Sequence, residues 1–427
     1  MSRAALACAL LALSGCADED LARGRRYVDE RAFRRAALEG SLVDPDNGYA
    51  TLRLDRYATE ASGEPTGWDA RPVWNPPVRP LTADDVGAFV EHPERPSTEA
   101  EGSLAPVFDA AELAWTEEAL RALGRRAFET FPVQLSASVG AATDAEGSLA
   151  RYGLWVDDRE RVGGLVRVRL GDGSERFAVT CATCHARPDA DGALVHGATN
   201  HRFDWGAVAH RDALRRGRPA EDVAHLLAWG PGQVDVTPDD RDNPTAITDL
   251  RAVRHQPLLH WAGTLENDLV ALAIRLETLI VTSMGESVRP PREVAFALAL
   301  YLWRMGEAGA AGDAAGEPEG AALFDRHCAS CHGADGSVAR ARVPLAQVGT
   351  EPSVGESATR GTGHYRVPSL WGVAGRTQLL HDGRVDSLEA LLDPARLDTV
   401  PGHAWGTSLD ADERAALIRF ARTIGAP

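Results

Sequence analysis

Apolar positions recur at helical spacing in several separate stretches of the chain. In Trp115–Phe131 the residues Leu120, Leu123, Ala127 and Phe131 share one face, which predicts an amphipathic helix. Pro219–Trp229 reads as a shorter helix, opened by proline with Glu221 and Asp222 in its first turn and closed by Gly230. Leu265–Ile280 carries Leu265, Leu269, Leu272, Leu276 and Leu279 on one stripe, the pattern of core packing. Glu293–Trp303 is apolar nearly all round, so it is predicted to be buried. Ala411–Ile424 presents Leu417, Phe420, Ala421 and Ile424 together, with Asp410 and Glu413 placed for a capping box. Leu165–Val179 reads as a hairpin that folds back at Leu170-Gly171-Asp172-Gly173-Ser174 and leads straight into Cys181. Helix dominates this pattern, so the predicted class is mainly all-α.

Two stretches stand outside the periodic segments. Gly306–Gly316 is small, polar and glycine-rich, a hinge between folded units. At the N-terminus, Arg3 precedes the apolar run Ala4–Leu13, which is too short to span a bilayer and reads as an export signal. It ends Leu13-Ser14-Gly15-Cys16, which resembles the bacterial lipoprotein cleavage box; that resemblance implies lipidation of Cys16 and a membrane anchor on the periplasmic side. A plain secretory signal is the alternative. The net charge is −17 and the chain contains no lysine, so every basic side chain apart from histidine is an arginine. An acidic balance of this size argues against a nucleic-acid partner.

The cysteines change the picture most. Without Cys8 and Cys16 of the signal, four of the six remain, and Cys181, Cys184, Cys328 and Cys331 all belong to two Cys-x-x-Cys-His motifs ending in His185 and His332. Roughly 0.003 such pentapeptides would arise by chance in this composition. Positions i, i+3 and i+4 share one face of a helical turn, so two sulfurs can hold a porphyrin edge while the histidine reaches the iron. The pattern predicts two covalent c-type haems with His185 and His332 as proximal ligands. A redox dithiol or a zinc site explains neither histidine.

The predicted organisation is a signal peptide over 1–16, a mostly helical N-terminal scaffold over 17–165, a first c-type haem domain over 166–305, a linker over 306–318 and a second cytochrome c domain over 319–427. Of the 13 histidines only His92 precedes Cys181, consistent with a scaffold that has no metal chemistry. An internal repeat connects the haem regions: Asp249-Leu250-Arg251-Ala252-Val253 followed by Leu258-Leu259-His260-Trp261-Ala262-Gly263 parallels Ser369-Leu370-Trp371-Gly372-Val373 followed by Leu379-Leu380-His381-Asp382-Gly383.

Over residues 165–427, the two motifs together with Val367-Pro368-Ser369-Leu370 and His381-Asp382-Gly383 resemble the di-haem cytochrome c peroxidase and MauG superfamily of exported bacterial proteins. The resemblance implies two cytochrome-c-like haem domains, one accepting electrons and one meeting peroxide, with a tryptophan between them at the place of Trp261. It also implies a catalytic glutamate before a Met-Gly pair and a glutamine upstream, but here Ser283 precedes Met284-Gly285 and Ala271 stands at the glutamine position. Glu286 would share a face with Ser283 if the helix continues, and is the one residue placed to replace the acid. For the distal position of the first haem the family interval points to His201, with His196, Met284 or an open site as alternatives. For the second, the family's methionine or tyrosine position is Ala395, and His403 is the best substitute, with His364, Tyr365 or no ligand as alternatives. His381 reads as a structural histidine near the propionates. Asp44, Asp46 and Asn47 would suit a calcium ion, as the family sometimes holds one, though a surface turn reads better.

The sequence thus points to an exported di-haem cytochrome that transfers electrons to or from a small redox protein. The alternative is a peroxide-reducing or related oxidase reaction at one open haem.

Overall fold

The computed structural model describes residues 18–58, 67–85, 104–136, 138–143, 148–235, 242–307 and 311–426. The export signal and Cys16 lie outside these. The chain is 43% helical and 14% strand, a mixed α/β protein, which overturns the expected all-α class with two cytochrome domains. A five-stranded antiparallel sheet accounts for the difference. Its strands are β1 (Pro77–Thr82), β2 (Ala105–Pro106), β3 (Gln134–Leu135), β4 (Arg161–Arg169) and β5 (Glu175–Val179), in the order β2-β1-β4-β5-β3.

β4 and β5 are the expected hairpin, with Leu165 opposite Val179 and Arg169 opposite Glu175. Its partner β1 contains Pro77 and Pro80, residues that disfavour a strand, and accommodates them with a register shift between Pro80 and Thr82. Successive side chains point to opposite faces of a strand. Accordingly Val166, Val168 and Ala178 enter the main core, while Leu165, Phe177 and Val179 enter a second core with Tyr152 and Phe203.

The main core is helical. It packs α1 (Glu117–Thr130) and the pair α3 (Leu269–Ser283) and α4 (Arg292–Met305) together. Between α1 and α3 along the chain lies α2 (Cys181–His185), the single turn that carries the first motif. Gly124 is required where α1 crosses α4, because a Cβ there would lie 2.1 Å from the Ala297 carbonyl oxygen. α3 starts at Leu269 rather than Leu265, since the Asp268 side chain accepts the Ala271 N–H as an N-cap and Leu265–Glu266 pairs instead with Leu258–Leu259. The expected helix over Pro219–Trp229 is a short turn, Ala220–Val223, continued as a 3₁₀ segment.

The C-terminal unit is bracketed by α5 (Pro318–His327) and α6 (Ala411–Thr423). The helices cross at Gly320, where a Cβ would sit 2.3 Å from the Ala416 carbonyl, and Phe324 meets Phe420 edge-on at 5.3 Å. The Asp410/Glu413 capping box is present.

The internal repeat is structural, in a register one residue different from the leucine match. Bonds run from Val253 N–H to Leu250 C=O and from Val373 N–H to Leu370 C=O, then from Gln256 to Val253 and from Arg376 to Val373. His260 and Leu380 both have positive φ, as do Gly263 and Gly383. Leu259 pairs with Leu265 and Leu379 with Val385. Each pair is separated by 120 positions, as 253 is from 373, so Trp261 corresponds to His381 rather than His260 to His381. The two copies also face each other reciprocally: Ala246 N–H donates to the His381 carbonyl at 2.8 Å, and Arg366 N–H donates to the Trp261 carbonyl at 2.8 Å. Swapping the copies converts one bond into the other, the signature of a pseudo-twofold contact within one chain.

Candidate functional site

The first Cys-x-x-Cys-His motif is mounted on the sheet. β5 ends at Val179, and Thr180 caps α2 in a reciprocal box with Thr183. Both threonine hydroxyls donate to the Gly164 carbonyl of β4, at 2.7 and 3.0 Å. Gly164 has φ +65°, and a Cβ there would lie 2.5 Å from the Thr183 nitrogen, so only glycine lets the turn press onto the strand. Cys181 then packs against the main core and Cys184 against the second.

His185 Nδ1 donates to the Thr248 carbonyl at 2.9 Å, which leaves Nε2 as the electron-pair donor. Burial pulls its pKa down to about 4, so the imidazole is neutral and fit to ligate. Burial pushes the Cys181 and Cys184 thiols up to about 12 and Cys328 up to about 11. Redox-active dithiols need the opposite shift. Among the described residues no three or more His, Cys, Asp or Glu side chains gather as a metal cage. The raised thiol pKa values disfavour the dithiol reading of these motifs.

The second motif follows α5. His332 N–H returns to the Cys328 carbonyl at 2.9 Å. Burial pulls the His332 pKa down to about 3, with His403 adding to the effect. The Pro368 carbonyl, 120 positions from Thr248, stands beside His332 without closing a full hydrogen bond. Across from His332 is His403, with ring centroids 6.4 Å apart. His403 is half-buried with Nδ1 unpartnered, and its backbone is held at φ +48° by its N–H to the Val348 carbonyl at 2.7 Å. Two thiols, a neutral half-buried histidine and a second imidazole beside it fit a c-type haem.

The remaining sequence candidates scatter. His201 follows Asn200, whose N–H bonds to the Cys184 carbonyl at 2.9 Å, so it stands beside the first motif; its Nδ1 is buried and unpartnered. His196 is consumed elsewhere, by Tyr301 Oη at 2.6 Å and Glu129 at 3.3 Å. His364 Nδ1 donates to the Thr362 carbonyl, and Tyr365 Oη donates to the Glu351 carbonyl. Trp261 lies in a cleft between the repeats lined by Ala246, Thr248, Arg366, Pro368 and Arg376, with the Arg366 guanidinium 4.9 Å from its ring centre.

Glu286 does not continue the face of Ser283. α3 ends there because Gly285 and Glu286 both turn to positive φ, and the Glu286 carboxylate pairs with Arg56 at 2.5 Å and Arg71 at 3.5 Å. The calcium candidates are likewise engaged: Asp44 pairs with Arg342 at 2.8 Å, and Asn47 Oδ1 caps a helix by accepting the Ala50 N–H. Sequence reasoning missed the carbonyls of Thr248 and Pro368, for which a backbone atom leaves no residue-type signal.

Residues 318–424 match the cytochrome c family. No curated protein matches the chain. The C-terminal unit is therefore a cytochrome c domain, which implies covalently bound haem iron and makes the chain a haem-based electron-transfer protein.

Proposed function

We propose that the chain is a di-haem c-type cytochrome of the cell envelope, exported and lipid-anchored through Cys16, that passes single electrons between its two irons and to a small redox partner. The observation that carries the second haem is the repeat: the two loops 120 positions apart bring a carbonyl to His185 at Thr248 and one to His332 at Pro368. Haem iron supplies the one-electron chemistry when bound. The chain holds the imidazoles neutral and half-buried and sets Trp261 in the cleft between the repeats. A net charge of −17 favours a basic partner through long-range attraction.

Electron transfer is favoured over peroxide reduction because the acid and amide that the family resemblance implies are replaced by Ser283 and Ala271, and Glu286 is held by two arginines. The test is the intact mass of protein matured in a strain that assembles c-type haem, with low-temperature EPR of the oxidised form. Two added haems and low-spin signals are expected. One added haem overturns the di-haem reading, and a high-spin signal with fast peroxide turnover restores the peroxidase.

A further inference from the structure

A group of cations stands apart from both motifs. Tyr49 and Arg53 come from the N-terminal segment, His260 and Arg275 from the first repeat and the head of α3, and Arg360 from the cytochrome c domain. Arg53 donates to Tyr49 Oη at 3.3 Å and to Thr278 Oγ1 at 2.9 Å. Arg360 lies over the Tyr49 ring, 5.2 Å from its centre, and His260 meets the same ring edge-on at 5.2 Å. Arg275 Nε donates to His260 Nε2 at 2.6 Å, which fixes Nδ1–H as donor to Thr264 Oγ1 and keeps this imidazole neutral.

None of the three arginines makes an ion pair with a carboxylate among the described residues, although Asp235 lies in the wider surroundings of Arg360. Arg53 Nε and Nη2 and Arg360 Nε are buried without a protein acceptor. Arg53 is 2% exposed, whereas Arg275 and Arg360 are half-buried, so the cluster has an open side. Burying guanidinium groups together without a counter-charge is costly, and the buried Arg292, by contrast, pairs with Glu277 and Asp69. The local field shows in neighbouring groups. The arginines outweigh burial at Tyr49 and bring its phenol down to about 8, and burial together with nearby arginines brings Arg360 down to about 10.

We propose that Arg53, Arg275 and Arg360, with Tyr49 as a hydroxyl donor and His260 positioning Arg275, form an oxyanion site that takes a carboxylate- or phosphate-type group. Planar guanidinium forks match that geometry with two hydrogen bonds each. The inference goes beyond the di-haem reading and does not depend on it. Two sources share the chemistry: a free oxyanion entering from the open side, or the propionate of a bound haem.

The experiment uses the full haem-loaded chain in buffer free of oxyanions. Inorganic phosphate is added at constant ionic strength set with chloride, and thermal unfolding is followed. With a free oxyanion in the site, each tenfold rise in phosphate above its dissociation constant lifts the wild-type midpoint by the same step. The lift is abolished in Arg275→Gln and Arg360→Gln and retained in Arg275→Lys. With a propionate in the site, phosphate has no effect, but Arg275→Gln makes one haem's midpoint potential fall as pH rises between about 5 and 8, a range over which the paired carboxylate of the wild type stays ionised. Tyr49→Phe, which removes a hydroxyl and no charge, covers the case in which an arginine variant does not fold: it weakens the phosphate lift if a free oxyanion is held, and brings in a smaller fall of one haem's potential with pH if a propionate is held. No phosphate response in the wild type, together with unchanged potential–pH profiles in the variants, overturns the proposal.

Discussion

His403 shows how one residue beside a Cys-x-x-Cys-His motif can hold a strained backbone. A non-glycine residue at φ +48° costs of order 1–3 kcal/mol, and the neighbouring carbonyl and arginine that grip its backbone hold it there, Arg396 donating to its C=O at 3.2 Å. If His403 holds the iron of the proposed second haem, replacing it by alanine should turn a low-spin EPR signal into a high-spin one and leave the other haem's signal unchanged. Glu351 provides a titration test at the same scale. Its carboxylate faces His381 at 3.6 Å and accepts the Ser353 N–H and hydroxyl, and these hold its pKa down to about 2. A carboxyl depressed in the folded state adds stability above its unfolded value, and that stability is lost as pH falls through the folded one. Glu351→Gln should therefore lower the urea midpoint at pH 7, and the gap from wild type should close between about pH 4.5 and about 2.

At the scale of elements, the cytochrome c domain depends on the α5–α6 crossing. Gly320→Ala would force its Cβ into the Ala416 carbonyl and the Phe420 side chain, 2.3 and 2.7 Å away. Overpacking of this kind costs about 1–3 kcal/mol, so calorimetry should show a lower unfolding midpoint with the haem still attached. The stripes of Leu417, Phe420 and Ile424, and of Leu120, Leu123 and Ala127, could be read in advance because a helix face repeats within four residues and its burial follows from local spacing. β1 could not be read that way. Its residues qualify as a strand only through pairing with β4, as Val78 does with Val168 ninety positions later, and that information is absent from the local pattern.

The whole molecule is organised about the pseudo-twofold contact between the repeats. Trp261 and His381 occupy equivalent positions there, and their carbonyls accept the reciprocal bonds, so the contact is symmetric in backbone and unlike in side chain. On the di-haem reading, Trp261→Phe should slow electron exchange between the haems after flash reduction and leave both absorption spectra and the haem content unchanged. Equal exchange rates would remove Trp261 from the path.

Cysteine and histidine spacing alone marks both Cys-x-x-Cys-His motifs, because the pattern is confined to one helical turn and needs no knowledge of the rest of the chain. The approach of His403 to His332, the carbonyls behind His185 and His332, the engagement of Glu286 and the gathering of Arg53, Arg275 and Arg360 all join residues distant in sequence. Such contacts follow from how the sheet, the helices and the repeated loops close on one another. Residue type and spacing carry only the local part of that closure, and packing at long range supplies the rest.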